Sequence, residues 1–282
     1  MVIFNGKKES GKILSDVGKK IRKERLSPRL AAILVGDNPS SKLYVDIKKK
    51  AGKKVGINVL GYNFKDNAGE ENVMARIRSL NADKSINGII VQLPLPDGFN
   101  AERVVGAIDP KKDVDGFHEE NRRLLKKGNP YFLPALPLAI YTAFLQSPKR
   151  FRGKKILAFV NSEIFGRSLE DFFKLHKLIL KYILKKKAFS LKIRQEAKKA
   201  GVIITVCGCP NLIKGDMIKK GTVLIDAGIK RLKTGKVSGD VNRESVAEKA
   251  SFLTPATGGI GPLTVALLLK NTYLSAKKYG RS

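Results

Sequence analysis

The stretch RLAAILVGDNPSSKLYVDIKKKAGKKVGINVLGYNF, residues 29–64, decides the fold class. Its apolar run at 29–36 predicts a strand, the amphipathic pattern at 40–56 predicts a helix, and residues 57–64 predict a second strand. A strand, a helix and a strand in this order are typical of two parallel strands joined by a crossover helix. The stretch therefore predicts an α/β fold.

The same alternation continues along the rest of the chain. Further strands are predicted at 86–96, where the run enters a proline-closed loop, and at 154–162, 201–210 and 221–228. Further helices are predicted at 69–83, 136–147, 166–179 and 261–278. The weakest assignment covers 174–200, which is rich in lysine and has no clean period. Alternation of this kind predicts parallel sheets with helices on both faces.

The chain length predicts two domains, because 282 residues exceed what one hydrophobic core usually organises. A loop at 126–134, with lysine, glycine, asparagine and proline before a new helix, marks the boundary. We expect an N-terminal α/β domain at 1–135 plus 262–282, to which the C-terminal helix returns. The remaining residues, 136–261, are expected to form a Rossmann-like, doubly wound parallel-sheet domain.

The composition limits the classes of partner. A net charge of +30, spread along the whole chain, attracts nucleic acid, anionic lipid or anionic metabolites. The sequence has no basic tail, aromatic-spaced RNA motif or zinc-finger pattern, so we expect no specific nucleic acid and no metal site. No apolar run reaches about 18 residues, so no membrane span is expected. The spacing of Cys207 and Cys209 disfavours a disulfide, and the start of the sequence lacks a signal-peptide layout, which together indicate the cytoplasm.

Lys48 differs from its neighbouring lysines in the predicted helix at 40–56. At about 100° per residue, one apolar stripe is formed by Tyr44, Ile47, Ala51 and Val55. Lys48 falls inside this stripe, whereas the opposite face holds Lys49, Lys50 and Lys53, with Lys54 at the edge. A desolvated lysine with a lowered pKa is a usable general base. The alternative is a long aliphatic stem that brings its ammonium back to water.

Two further segments place polar groups where α/β proteins bind ligands. VQLPLP at 91–96 puts Gln92 at the C-terminal end of a predicted strand, the edge at which open α/β sheets hold ligands. KDVDGFH at 112–118 puts Asp113 and Asp115 in a loop, where a carboxylate anchors amino or amide groups of a ligand or forms a turn. The lysine, glutamine and aspartate together are more specific than any one of them.

Six blocks of sequence, in this order along the chain, resemble one family. They are LVGDNPSSKLYVDIKKKAGKKVGI, GIIVQLPLP, DPKKDVDGFH, VLIDAGI, SGDV and TPATGGIGPLT. By these blocks, which span nearly the whole chain, the protein is identified as a member of the bifunctional methylenetetrahydrofolate dehydrogenase/methenyltetrahydrofolate cyclohydrolase family. The resemblance implies NADP-dependent oxidation of 5,10-methylenetetrahydrofolate to 5,10-methenyltetrahydrofolate. Hydrolysis of that product to 10-formyltetrahydrofolate then follows at the same folate site.

The resemblance also implies roles for individual residues. Lys48 is the central catalytic group, Gln92 positions it, Tyr44 lines the aromatic portion of the folate, and Asp115 holds the pterin. Further substrate contacts are implied for Leu93, Pro94, Gly258, Gly259 and Pro262. Cofactor contacts are implied for Asn161, Ser162, Ile164, Gly208, Gly228 and Ile229. NADP is the implied cofactor, with NAD as the alternative, and the family's homodimer through the second domain is expected here.

The cofactor turn departs from the family's pattern. Where the family has G-R-S-x-x-V-G, this chain reads VNSEIFG at 160–166, so Val160 replaces a glycine and Asn161 replaces the arginine expected near the NADP 2′-phosphate. The valine adds bulk where the backbone should approach the dinucleotide. The family's A-T-V-T-x-C-H-S strand has no clear match, and LILKYILKKKAF at 178–189 stands in its place.

Two explanations of these departures stay open. The lysines at 185–187 recognise the phosphate as point charges, or the dinucleotide site has decayed. The second explanation leaves a cyclohydrolase with a weakened or vestigial dehydrogenase. A remote alternative is a basic nucleic-acid-binding protein that has kept the fold.

Overall fold

The computed structural model describes residues 1–148, 155–232 and 234–280. The chain divides into two compact units, Met1–Glu9 with Leu136–Leu263, and Ser10–Ala135 with the segment from Thr264 onward. The strands are β1 (Val2–Ile3), β2 (Arg29–Val35), β3 (Asn58–Phe64), β4 (Gly88–Val91), β5 (Ile156–Val160), β6 (Leu180–Leu184), β7 (Val202–Val206), β8 (Thr222–Asp226), β9 (Lys230–Arg231), β10 (Val237–Ser238) and β11 (Ala250–Leu253).

The helices are α1 (Gly6–Glu24), α2 (Pro39–Val55), α3 (Glu70–Ala82), α4 (Ala101–Gly106), α5 (Glu119–Lys126), α6 (Ala135–Leu145), α7 (Glu163–Leu175), α8 (Leu191–Lys199), α9 (Arg243–Val246) and α10 (Ile260–Tyr279). Short 3-10 turns occupy Lys185–Lys187 and Gly215–Met217. Among the described residues, none of the helices combines the length and the apolar character that crossing a membrane requires.

The unit of Ser10–Ala135 is built on a three-stranded parallel sheet in the order β3-β2-β4. The central strand, β2, is buried from its second residue to its last, as expected for a strand with a neighbour on each side and helices on its faces. The strand–helix–strand prediction for residues 29–64 is confirmed, since β2, α2 and β3 follow one another and the two strands pair parallel.

Local sequence sets the limits of α2. The Asn38 side chain accepts hydrogen bonds from the backbone N–H groups of Ser40 and Ser41 at 2.9 and 3.2 Å, and Pro39 occupies the first turn. Both features are typical of a helix N-terminus. The helix ends at Gly56, whose φ of 86° is a left-handed conformation that glycine adopts at little cost.

The other unit is built on a six-stranded sheet in the order β1-β11-β8-β7-β5-β6, in which every pairing is parallel. The chain leaves β5 for β6 on one side and returns to β7 on the other side. This reversal is the topological switch of a doubly wound sheet, which confirms the predicted fold class. The antiparallel pair of β9 and β10 lies outside the large sheet.

The structure differs from the sequence-based assignment in three places. Residues Met1–Glu9 group with the six-stranded unit, because β1 pairs with β11, whereas the boundary placed at 135 assigned them to the N-terminal domain. The weakly assigned segment at 174–200 contains β6 and α8. β6 is an edge strand with an exposed lysine in it, so it lacks the continuous apolar run of the buried strands. The strand predicted at 154–162 is observed at Ile156–Val160, and residue 154 lies outside the described residues.

Candidate active site

Lys48 lies on the buried face of α2. The buried residues of this helix are Ser41, Val45, Lys48, Gly52 and Val55. The Lys48 side chain is 7% exposed, whereas its neighbours Lys49 and Lys50 are exposed. The inward direction that the pattern allowed for Lys48 is therefore observed.

The predicted apolar stripe of α2 was partly wrong. Ile47 is exposed, Tyr44 and Ala51 are half-buried, and the centre of the buried face runs through Val45 and Gly52 instead. At Gly52 the helix lies close to β3 and to the residue before it, because a Cβ atom there would lie 2.7 Å from both the Val59 Cγ2 and the Ile57 carbonyl oxygen. The buried face includes Val45 and Gly52, one position further along the helix than Tyr44 and Ala51 of the predicted stripe.

Lys48 and Gln92 are in direct contact. The Lys48 Nζ donates a hydrogen bond to the Gln92 Oε1 at 2.7 Å, and the Gln92 Nε2 donates to the Leu93 carbonyl oxygen at 3.0 Å. Gln92 directly follows β4, and its backbone N–H continues the ladder by donating to Ile33 on β2. The Lys48 ammonium also lies 5.6 Å from the centre of the Tyr44 ring. Helix α2 and the end of β4 thus bring three predicted site residues together.

Asp115 interacts with Lys48 through its charge. Burial lowers the pKa of Lys48 to about 8, and the negative charge of Asp115 opposes this shift. Burial likewise raises the pKa of Asp115 to about 6, opposed by the charge of Lys48 and reinforced by that of Asp113. Both groups therefore change protonation near neutral pH, which is the property that general acid–base chemistry requires.

Asp113 and Asp115 have different surroundings, although the sequence presents them alike. The Asp113 carboxylate is buried and accepts hydrogen bonds from the backbone N–H groups of Gly116 at 3.1 Å and His118 at 2.8 Å. It also accepts one from the Asn121 Nδ2 at 2.8 Å. Asp113 is therefore occupied in shaping the loop that carries Asp115, a role that the sequence did not distinguish from ligand binding.

Three predicted substrate contacts belong to the six-stranded unit: Gly258, Gly259 and Pro262. Gly258 has a φ of 80°, and its carbonyl oxygen accepts a hydrogen bond from the Lys7 backbone N–H at 3.1 Å. A Cβ atom on Gly259 would clash with the carbonyl oxygen of Pro255. Glycine is thus required by the backbone in this tight turn, which directly precedes α10.

The cofactor turn follows β5. Val160 is the last residue of that strand and is fully buried. Ser162 begins α7 without a side-chain capping hydrogen bond. Gly166 allows α7 to pack closely on β6, since a Cβ atom there would lie 2.6 Å from the Tyr182 ring. Asn161 is exposed, and Ile164 is buried in the first turn of α7.

Two buried carboxylates hold the loops that follow β7 and β8. Asp240 accepts hydrogen bonds from the backbone N–H groups of Cys207 at 2.7 Å and Cys209 at 2.6 Å. Asp226 accepts hydrogen bonds from the Thr205 hydroxyl and the Gly228 backbone N–H, each at 3.1 Å. These contacts fix the loops around Gly208, Gly228 and Ile229, three of the predicted cofactor residues. Sequence reasoning missed both carboxylates, although VLIDAGI and SGDV contain them.

A cavity of about 450 Å³ opens where β8 and β11 end, and Asp226, Ser238 and Thr254 are among its lining residues. It therefore lies at the carboxyl edge of the six-stranded sheet, where doubly wound folds bind their ligands. Among the described residues, no group of three or more histidine, cysteine or acidic side chains is placed to hold a metal ion.

Comparisons with known proteins match both units. Residues 4–115 match the tetrahydrofolate dehydrogenase/cyclohydrolase catalytic domain, and residues 134–280 match the NAD(P)-binding domain of the same family. The bifunctional protein FolD of Nautilia profundicola is 37% identical over 287 residues, covering 100% of this chain and 99% of that protein.

Solved structures agree with these sequence matches. The bifunctional FolD of Campylobacter jejuni is similar with a TM-score of 0.84 at 37% identity, covering 98% of this chain and 99% of the other. The Trypanosoma brucei methylenetetrahydrofolate dehydrogenase-cyclohydrolase, solved with NADP cofactor and inhibitor, gives a TM-score of 0.88 at 25% identity, covering 100% of this chain and 99% of the other. With both halves matched in sequence and in structure, the chain belongs to the tetrahydrofolate dehydrogenase/cyclohydrolase family.

Proposed function

We propose that this protein oxidises 5,10-methylenetetrahydrofolate with NADP and hydrolyses the resulting 5,10-methenyltetrahydrofolate to 10-formyltetrahydrofolate. The observation that carries the proposal is the buried Lys48 ammonium, hydrogen-bonded to Gln92 at 2.7 Å, with a pKa that burial lowers to about 8. Near its pKa such a lysine is present both as the neutral amine, which accepts a proton, and as the ammonium, which donates one.

The hydrolysis needs only a few protein groups, because the methenyl carbon is already a strong electrophile. As a water oxygen bonds to that carbon, the neutral Lys48 amine accepts the proton that the water loses. The resulting ammonium then returns a proton to one ring nitrogen while the bond from that nitrogen to the former methenyl carbon breaks. The remaining hydroxyl proton leaves to solvent as the carbonyl bond of the formyl group forms, so the reaction releases one proton overall. The formyl group remains on the other nitrogen, and Lys48 is restored to its starting form.

The other residues of the site position Lys48 and the substrate. Gln92 holds the lysine nitrogen through its Oε1 atom. Tyr44 contributes an aromatic face beside that nitrogen for the aromatic portion of the folate. Asp115 holds the pterin and keeps the Lys48 pKa from falling further. Additional substrate contacts are proposed for Leu93, Pro94, Gly258, Gly259 and Pro262.

The six-stranded unit fits a dinucleotide. The backbone N–H groups at the start of α7 are not capped by the Ser162 side chain, and lysines follow the neighbouring strand β6. Both features suit phosphate groups. When bound, NADP supplies the hydride acceptor of the oxidation. The protein must hold the nicotinamide close to the folate carbon in the correct orientation, with Asn161, Ser162, Ile164, Gly208, Gly228 and Ile229 as the proposed contacts.

A second candidate is a cyclohydrolase whose dehydrogenase is weakened. The neutral Asn161 favours it, because this residue stands where the family pattern has an arginine. Two assays on one preparation separate the candidates: loss of methenyl absorbance, and reduction of NADP with methylenetetrahydrofolate. Ordinary enzymatic rates in both support the bifunctional enzyme, whereas methenyl hydrolysis without nucleotide reduction supports the second candidate.

Lys48→Met tests the assignment of the catalytic residue, with Lys50→Met on the exposed face of the same helix as a matched control. We expect hydrolysis to fall by about 100- to 10,000-fold in the first variant and to stay near the wild-type rate in the second. Hydrolysis at the wild-type rate in folded Lys48→Met protein would overturn the assignment. We further propose a cytoplasmic homodimer, which light scattering of the purified protein and fractionation of the cell would test.

A further inference from the structure

Three neighbouring parallel strands of the six-stranded sheet end side by side. In the observed register, Val160 at the end of β5 is paired with Leu184 of β6 and with Val206 of β7. The residues that follow these ends are Asn161, Lys185 and Cys207. The cofactor turn and the first lysine after β6 therefore occupy adjacent positions on the carboxyl edge of the sheet.

Lys185 differs from the two lysines that follow it. Lys185 is half-buried, whereas Lys186 and Lys187 are exposed. Burial raises the pKa of the Asp240 carboxyl and of the Cys207 thiol, and the positive charge of Lys185 opposes the shift in both groups. Lys185 therefore contributes positive charge to the carboxyl edge of the sheet.

Lys185 occupies a position that contacts the bound dinucleotide in doubly wound folds. The pyrophosphate lies at the N-terminus of the helix after the first strand, and the adenosine ribose lies at the end of the next strand, about 20 residues further on. In sites for NAD, that second position holds a carboxylate for the ribose hydroxyls. A carboxylate would repel a 2′-phosphate, whereas a lysine attracts it.

Three neighbouring side chains are less suited to this task. Asn161 has no charge. Lys181, on β6 itself, forms an ion pair with Glu196 at 3.0 Å. The carboxylate of Glu163, in the first turn of α7, accepts a hydrogen bond from the Tyr182 hydroxyl at 2.8 Å. We propose that Lys185 binds the 2′-phosphate of NADP and thereby selects NADP over NAD, an inference that rests on the proposed dehydrogenase activity.

Binding of nucleotides to the full-length protein tests this inference without requiring turnover. Isothermal titration calorimetry would compare 2′,5′-ADP and NADP, which carry the 2′-phosphate, with NAD, which lacks it. A hydrogen bond to a charged group contributes about 1.5–3 kcal/mol, so Lys185→Met should lower the affinity for both phosphorylated ligands by about 10- to 100-fold. Affinity for NAD should change by less than about twofold. Lys174→Met, an exposed lysine in the last turn of α7 and so at the end of that helix away from the cofactor turn, is the matched control. Lys185→Arg should retain the preference for NADP.

Several results would overturn the inference. Equal loss of NAD and NADP affinity in Lys185→Met, unchanged affinity for both, or an equal effect of Lys174→Met would each exclude a selective contact. A wild-type protein that binds and reduces both nucleotides equally well would overturn the inference and leave the proposed function intact. A wild-type protein that binds neither nucleotide but still hydrolyses methenyltetrahydrofolate would overturn the inference together with the dehydrogenase.

Discussion

Replacing Lys48 with methionine should change how the stability of the protein depends on pH. Methionine is similar in length and carries no charge, so it removes the buried ammonium without opening a large cavity. Burial lowers the pKa of Lys48 from 10.5 to about 8. At about 1.4 kcal/mol for each pH unit, holding the protonated lysine in the folded state costs roughly 3 kcal/mol relative to the unfolded chain.

The sign follows from the two pKa values. Between pH 8 and 10.5 the unfolded chain holds a proton on Lys48 that the folded chain lacks. The cost is therefore fully present below about pH 8 and disappears as the pH rises toward 10.5. The methionine variant never has this cost. Its stability relative to wild type should fall by roughly 2–3 kcal/mol between about pH 7 and about pH 10.

Two other changes leave this trend intact. Gln92 loses its donor in the variant, which costs about 1–3 kcal/mol at every pH and so moves both ends of the comparison equally. Asp115 loses the cation that favours its ionised form, so its burial destabilises the variant further as the pH rises. This second effect has the same sign as the main one.

Urea unfolding followed by far-ultraviolet circular dichroism would measure the difference at both pH values. Lys50→Met, on the exposed face of α2, is the control and should keep a constant difference from wild type. If the difference between Lys48→Met and wild type were the same at both pH values, the conclusion that the Lys48 ammonium is desolvated would be refuted.

Three further substitutions test other parts of the structure. Gln92→Glu places a carboxylate beside the Lys48 nitrogen, so the pKa of Lys48 should rise by about one to three units. The pH–rate profile of hydrolysis should shift to higher pH by a similar amount. A profile at the same pH as in the wild type would contradict the role of Lys48 as the base. Gly52→Ala puts a Cβ atom 2.7 Å from the carbonyl oxygen of Ile57, just before β3, and should lower stability by about 1–3 kcal/mol in urea unfolding; wild-type stability would show that α2 can move away freely. Asp240→Asn replaces one carboxylate oxygen by an amide donor, so one of the two backbone N–H groups that Asp240 binds loses its acceptor, and we expect a lower thermal midpoint and weaker NADP binding by calorimetry. An unchanged affinity would mean that the Cys207 loop does not need this anchor.

The sequence predicted the fold well where strands are buried on both faces. Apolar runs such as β2 and β7 are distinctive because parallel strands in the middle of a sheet contact helices on both sides. The edge strand β6 was assigned only weakly, because exposed and half-buried positions there tolerate lysine and tyrosine. What identifies β6 is its pairing with β5, a long-range contact that local composition does not contain.

For the candidate site, the sequence predicted the inward direction of Lys48 but not the roles of the individual aspartates. Helical periodicity was enough to place Lys48 on the inner face, but the centre of that face depends on the contact between Gly52 and β3. Sequence also could not separate the roles of Asp113 and Asp115, because the difference lies in which backbone N–H groups each carboxylate meets. The same holds for Asp226 and Asp240, whose partners come from separate loops.

The separate supports of the hydrolytic residues and of the cofactor turn have a consequence for how this protein can evolve. Lys48, Gln92 and Asp115 are held by elements of one compact unit, whereas the loops near the cofactor turn are held by Asp226 and Asp240 in the other. A substitution at Asn161 or Lys185 therefore leaves the hydrogen bonds of the hydrolytic residues unchanged. Natural variation can change or remove the nucleotide preference, while selection for the hydrolysis of methenyltetrahydrofolate continues to preserve Lys48, Gln92 and Asp115.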